Sequence, residues 1–200
     1  MVVLIHQEVL YHTIPNESEP RLNLAISEWI YSIMTDNESK NIMSVMDWDD
    51  SKLHKLAGEF FRLFSRFEYA LKVTKYLKST KDAEPDWTKF AIQIHNTFEQ
   101  LTDSDLDLMN AVNFILNAPP KKQVNNNGQV DWKTSSPDSE NQTDLLLKYV
   151  RRIRNNLFHG GKFNGRWFEP QRSGPLINAG IKILYTCLKI KKKVYDAYHG

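Results

Sequence analysis

With 200 residues, 41% hydrophobic and 25% charged, the chain has the composition of one ordinary soluble domain over 1–200, which excludes a disordered or membrane-embedded class. No apolar run approaches the roughly 18 residues of a membrane span, and Met1 to Ile5 is too short for a signal sequence, so a cytoplasmic, membrane-free protein is expected. The single cysteine, Cys187, excludes an intrachain disulfide, and a net charge of +2 hides an asymmetry: Asp144 to Gly200 holds 12 Lys and Arg against 3 acids, the remainder 14 against 21.

Pro15 and Pro20 make residues 1 to 20 an irregular lead-in, and Leu22, Ala25, Ile26, Trp29, Ile30 and Ile33 predict a helix from Arg21 to about Met34. Met43 to Asp50 reads as a short helix or loop. Ser51 is the expected cap of the longest helix, about 52 to 79, whose stripe of Leu53, Leu56, Ala57, Phe60, Phe64, Phe67, Leu71 and Leu77, widened by Phe61 and Leu63, suits a central bundle position. Residues 80 to 86 connect. Asp86 is the expected cap of a helix to Leu101, and Asp103 or Ser104 of another to about Asn117, ended by Pro119 and Pro120. His95, between apolar neighbours, reads as a structural histidine. Lys121 to Gln142 reads as a loop. Pro175 fits the first turn of a closing helix to about Ala197, with Leu176, Ala179, Ile183, Leu184, Cys187, Ile190 and Val194 inward and Lys189 and Lys191 to Lys193 outward.

Between loop and closing helix lies the stretch Val150 to Gly161, where several chemically capable side chains meet. Leu146, Tyr149, Val150, Ile153 and Leu157 give it one apolar helical face, and Gly160 and Gly161 stop the helix. Arg154, the polar Asn155 after it, and His159 with four residues between arginine and histidine resemble the R-x(4 to 6)-H signature of the HEPN superfamily. The alternative arginine is Arg152, which shares a face with His159 on an unbroken helix. Arg154 and His159 would diverge by roughly 140° there.

That resemblance implies an all-α bundle of the HEPN type, with a helical and loop insertion over about 80–142 between the long helix and the motif helix. It also implies a metal-independent endoribonuclease without cofactor, of a toxin or phage-defence kind, acting as a homodimer through the motif helix. Arg154, Asn155 and His159 would be catalytic, Arg151, Arg152, Lys162 and Arg166 would hold RNA, and Glu68 on the long helix would orient the motif arginine. Glu68 also precedes Lys72 by four residues, the spacing of an ordinary surface pair. Where some toxin members carry a His-x-Tyr extension, this chain has Gly160 and Gly161; an antitoxin protein is among the partners the resemblance implies, but not one of the nucleotidyltransferase type. A non-catalytic HEPN-like module binding RNA or protein is the alternative.

The chemistry stands without the family. Attack of a ribose 2′-hydroxyl on the adjacent phosphate needs a proton removed, a proton delivered and charge held on phosphoryl oxygens. Histidine titrates near neutrality, and arginine presents a fixed cationic fork to phosphate. Phe163, Trp167 and Phe168 are candidate base-stacking rings beside the motif.

Overall fold

The computed structural model describes residues 49–79, 81–158 and 169–200, all within one compact unit, Met46–Gly200. The expected lead-in and the helix over 21–34 lie outside the described residues. What is described is mostly helical: α1 (Asp50–Val73), α2 (Trp87–Ser104), α3 (Leu106–Asn117), β1 (Lys122–Asn126), β2 (Gln129–Lys133), α4 (Gln142–Phe158), α5 (Pro170–Ile190) and α6 (Lys192–His199). The all-α expectation holds at that coarse level, with one two-stranded sheet added.

Helix α1 buries Leu53, Phe60, Leu63, Phe64, Phe67, Ala70 and Leu71. Its cap is Asp49 rather than Ser51, the carboxylate accepting from the Lys52 N–H at 2.8 Å. It ends at Val73, six residues short of the expected 79. There the Tyr76 N–H reaches the Leu71 carbonyl and the Lys75 N–H the Lys72 carbonyl, with Lys75 left-handed at φ 70°. This closure usually uses glycine at that position, so Lys75 is no readable stop signal. Leu77 falls beyond the helix, and Phe61 is about half exposed instead of widening the core.

Asp86 caps α2, as expected, and that helix continues to Ser104. The cap of α3 is Asp105, two residues after the first of the expected pair, and Lys182 of α5 ties to the same carboxylate at 2.8 Å. Both helices are integral to the core: Trp87, Phe90, Ile94, Phe98, Leu108 and Ile115 are buried. Trp87 stacks on Phe67 at 5.2 Å between ring centroids, nearly parallel, and also on Phe64. Among the described elements only the sheet stands outside the core.

Helix α5 touches each of the other long helices. Gly180 eases the approach to α1, since a Cβ there would lie a tight 3.2 Å from the Phe60 ring. The helix starts at Pro170, not Pro175, which lies inside it; both prolines fit a first turn, and spacing alone favoured the wrong one. Nor does α5 run on to Ala197. Extended backbone at Lys191 breaks it, and α6 returns to α1, where the Arg66 guanidinium donates to the Tyr198 carbonyl at 2.6 Å and lies over its ring. The expected inward residues are otherwise buried, Ile190 partly; Cys187 is fully enclosed, and burial pushes its thiol far up.

Candidate nucleic-acid interface

Asn141 starts the motif helix. Its side chain accepts from the Asp144 N–H at 2.9 Å and its carbonyl from the Leu145 N–H. Asp144 is wholly buried and collects three donors: Thr88 Oγ1 of α2 at 3.0 Å, the Glu140 N–H at 3.0 Å and Lys148 Nζ at 2.7 Å. Lys148 also donates to the Asp138 carbonyl. Two turns after Thr88 on α2, His95 Nδ1 meets Thr143 Oγ1 at 3.0 Å, with Glu99 near the other nitrogen, as befits a structural histidine. This network locks the start of α4 to α2 and to the segment before it. The predicted apolar stripe is borne out: Leu146, Tyr149, Val150, Ile153 and Leu157 are all buried.

The stretch read as a loop folds into a hairpin. Asn127 (φ 52°) and Gly128 (φ 86°) both have positive φ, as a two-residue turn between twisted strands requires, and Asn125 Oδ1 accepts from the Gly128 N–H at 2.7 Å. The polar strands hide the usual alternation, but the Asn-Gly pair was a readable signal. Lys122 pairs across with Lys133, Gln123 with Trp132, Val124 with Asp131. The hairpin's base is pinned to the basic helices through four carbonyls. Arg152 Nη1 donates to Pro120 at 3.1 Å and Ser135 at 2.7 Å, Asn156 Nδ2 to Lys121 at 2.8 Å, and Arg172 Nη2 to Pro119 at 2.8 Å.

Between hairpin and α4 lies an open groove of about 600 Å³. Lys122 and Gln123 line it from the sheet, Ser135 to Asp138 from the segment after it, and Lys148, Arg151, Arg152, Asn155 and Asn156 from α4. Among the described residues four cations thus face one carboxylate, Asp138. At 100° per residue the five α4 positions fall within an arc of about 140°, which is why one helix supplies them all. Burial lowers the Arg152 guanidinium, with Tyr149 opposing the shift, yet neutral carbonyls as partners leave its positive charge uncancelled. A second cavity behind Trp132 and Leu157 is about 60 Å³, room for a few waters at most.

The predicted site residues therefore divide. Arg151, Arg152 and Asn155 line the groove. Arg154 points away from it: its guanidinium lies 5.1 Å over the Phe158 ring and 5.7 Å over Phe64, while Nη1 donates to Asn155 Oδ1 at 3.2 Å. Phe61 and Phe158, both about half exposed, pack together beside it at 4.9 Å. Glu68 accepts from the Trp87 indole at 3.4 Å, so its observed partner is neither Arg154 nor Lys72. His159, Lys162, Arg166, Phe163, Trp167 and Phe168 lie outside the described residues. Lys122 and Lys148 were not singled out from sequence; the first needed the hairpin, and the second is legible only as a lysine one turn before Arg151 and Arg152.

The fold and groove define a mostly helical protein with a preformed cationic cleft. Among the described residues no helix is long and apolar enough to cross a membrane, and no group of three or more His, Cys, Asp and Glu side chains could hold a metal ion. Comparison with known protein families, curated proteins and solved structures finds no match.

Proposed function

We propose that the chain is a metal-independent endoribonuclease of the HEPN kind, binding RNA along the groove and cleaving it at the end of α4. The observation that carries the reading is the cluster of Lys122, Lys148, Arg151 and Arg152 around one groove on the helix that leads into His159. Arg152, which shares a face with His159 on an unbroken helix, lines that groove. Strand cleavage would run by attack of the 2′-hydroxyl on phosphorus: the 2′-proton goes to an imidazole, the bond to the 5′-oxygen breaks, and that oxygen takes a proton. The products are a 2′,3′-cyclic phosphate and a 5′-hydroxyl.

One imidazole does not readily serve as base and acid in a single step, so two copies are needed, paired through the motif helix. The exposed Phe61 and Phe158 rings beside Arg154 are an apolar surface that such pairing would bury. Arg154 is the proposed stabiliser of phosphoryl charge, released from Asn155 when substrate enters. A cytoplasmic toxin or defence role, with or without an antitoxin, belongs to the same proposal.

A non-catalytic RNA-binding module is the second reading, favoured by the seating of the Arg154 guanidinium over the Phe64 and Phe158 rings, which do not line the groove. Incubation with single-stranded RNA in EDTA separates the two. We expect chelator-resistant cleavage with cyclic-phosphate ends, lost by 100-fold or more in His159→Ala and in Arg154→Ala with far-UV circular dichroism unchanged. Cleavage undiminished in His159→Ala refutes the catalytic assignment.

A further inference from the structure

We infer that the β1–β2 hairpin is the second wall of a groove that grips the backbone of single-stranded RNA, with Lys122 and Arg151 as phosphate contacts from opposite walls and Arg152 as the positioning residue that holds the hairpin. The inference rests on the RNA reading above but not on catalysis.

Three features support it. The hairpin carries two lysines, Lys122 and Lys133, directly opposite each other, a pairing that destabilises a sheet by itself and that a bound polyanion would offset. Four carbonyls at the hairpin base are held by Arg152, Asn156 and Arg172, so the wall is set in place before ligand arrives. The cations also differ in availability. Lys148 and Arg152 are engaged with protein oxygens, whereas among the described residues no carboxylate lies within ion-pair distance of Lys122 or Arg151, and Arg151 acts on Glu84 only at longer range.

Size and lining narrow the ligand class. Some 600 Å³ suits a segment of one or two nucleotides, not a duplex, which is bound across an extended surface. Among the described residues the groove is lined by charged and polar groups and Pro137, with no aromatic ring to stack a base. Such a lining contacts phosphate and ribose and carries little sequence information. Choice of bases would therefore come from elsewhere in the chain.

The test is binding of the full-length protein to a fluorescent 12-nucleotide 2′-O-methyl RNA, which lacks the attacking hydroxyl, followed by anisotropy across a salt series. Lys122→Ala and Arg151→Ala should each weaken binding several-fold for any base sequence and reduce the slope of log affinity against log salt by about 0.7. Lys192→Ala should change neither. Its ammonium pairs with Asp196, just past the end of α5 opposite the hairpin-binding Arg172, and α5 spans about 27 Å between. In Arg152→Ala, amide exchange within the hairpin should accelerate, which a mere phosphate contact would not cause. Unchanged salt slopes in both Lys122→Ala and Arg151→Ala overturn the groove, even if unmodified RNA is cleaved. Altered slopes without cleavage of unmodified RNA overturn the nuclease reading and leave the groove standing. Failure of the wild-type protein to bind the probe overturns the groove, and failure also to cleave unmodified RNA overturns both.

Discussion

Replacing Asp144 by alanine should be among the most damaging changes at the motif helix. The carboxylate is fully buried and accepts from a hydroxyl, a backbone N–H and an ammonium on three different segments. Breaking a buried pair by removing one partner costs about 3–5 kcal/mol, because the other is left inadequately solvated. Lys148 is a quarter exposed and keeps the Asp138 carbonyl, so the low end applies, about 3 kcal/mol. At roughly 2–4 °C per kcal/mol for a chain of this size, Tm should fall by about 6–12 °C. Asp144→Asn retains one acceptor and should cost roughly half as much. Urea denaturation followed at 222 nm measures both. A stability within 1 kcal/mol of wild type for Asp144→Ala would refute this account of the network. The same variant releases only the Glu140 N–H of the segment before α4, since Lys148 still holds the Asp138 carbonyl and Asn141 still accepts from the backbone N–H groups of residues 144 and 145.

Two further outcomes follow from the helix ends. Lys75→Gly should stabilise the protein by about 1 kcal/mol in the same urea assay, since a left-handed conformation costs an L-residue that much and glycine almost nothing; a loss of stability would show that the lysine side chain itself contributes. The Lys182 hydrogen bond, then the Leu108 N–H, holds the Asp105 carboxyl below its ordinary range. Its folded pKa lies under the unfolded one, so the stabilisation is fully present above about pH 4 and fades as pH falls through the depressed folded value. Asp105→Asn should thus cost a few tenths of a kcal/mol at pH 7, the pair being partly exposed, and less at pH 3. A cost that grows on acidification contradicts the assignment.

Periodicity alone makes the core of this protein legible. The stripes of α1, α4 and α5 are buried nearly as spaced, because a helix must turn its apolar side chains to one face whatever its neighbours are. Asp86 at a helix start is equally local, its cap bond closing within three residues. Helix ends were less readable. Lys75 sits where glycine is usual, and Pro170 and Pro175 offer the same first-turn chemistry, so the stop at Val73 and the start at Pro170 depend on how the chain packs.

The site divided along the same line. Sequence placed the arginines and asparagines on one helix, and 100° per residue then dictates that Arg151, Arg152 and Asn155 share a side that Arg154 does not. Which of them remain available to a ligand was a tertiary matter. Arg152 binds carbonyls 17 and 32 residues earlier in the chain, Glu68 meets Trp87 rather than a charge, and Lys122 joins the groove because Arg152 and Asn156 hold the neighbouring Pro120 and Lys121 carbonyls against α4. Local rules fix which way a side chain leaves its own helix; only the packing of distant segments decides what it finds there.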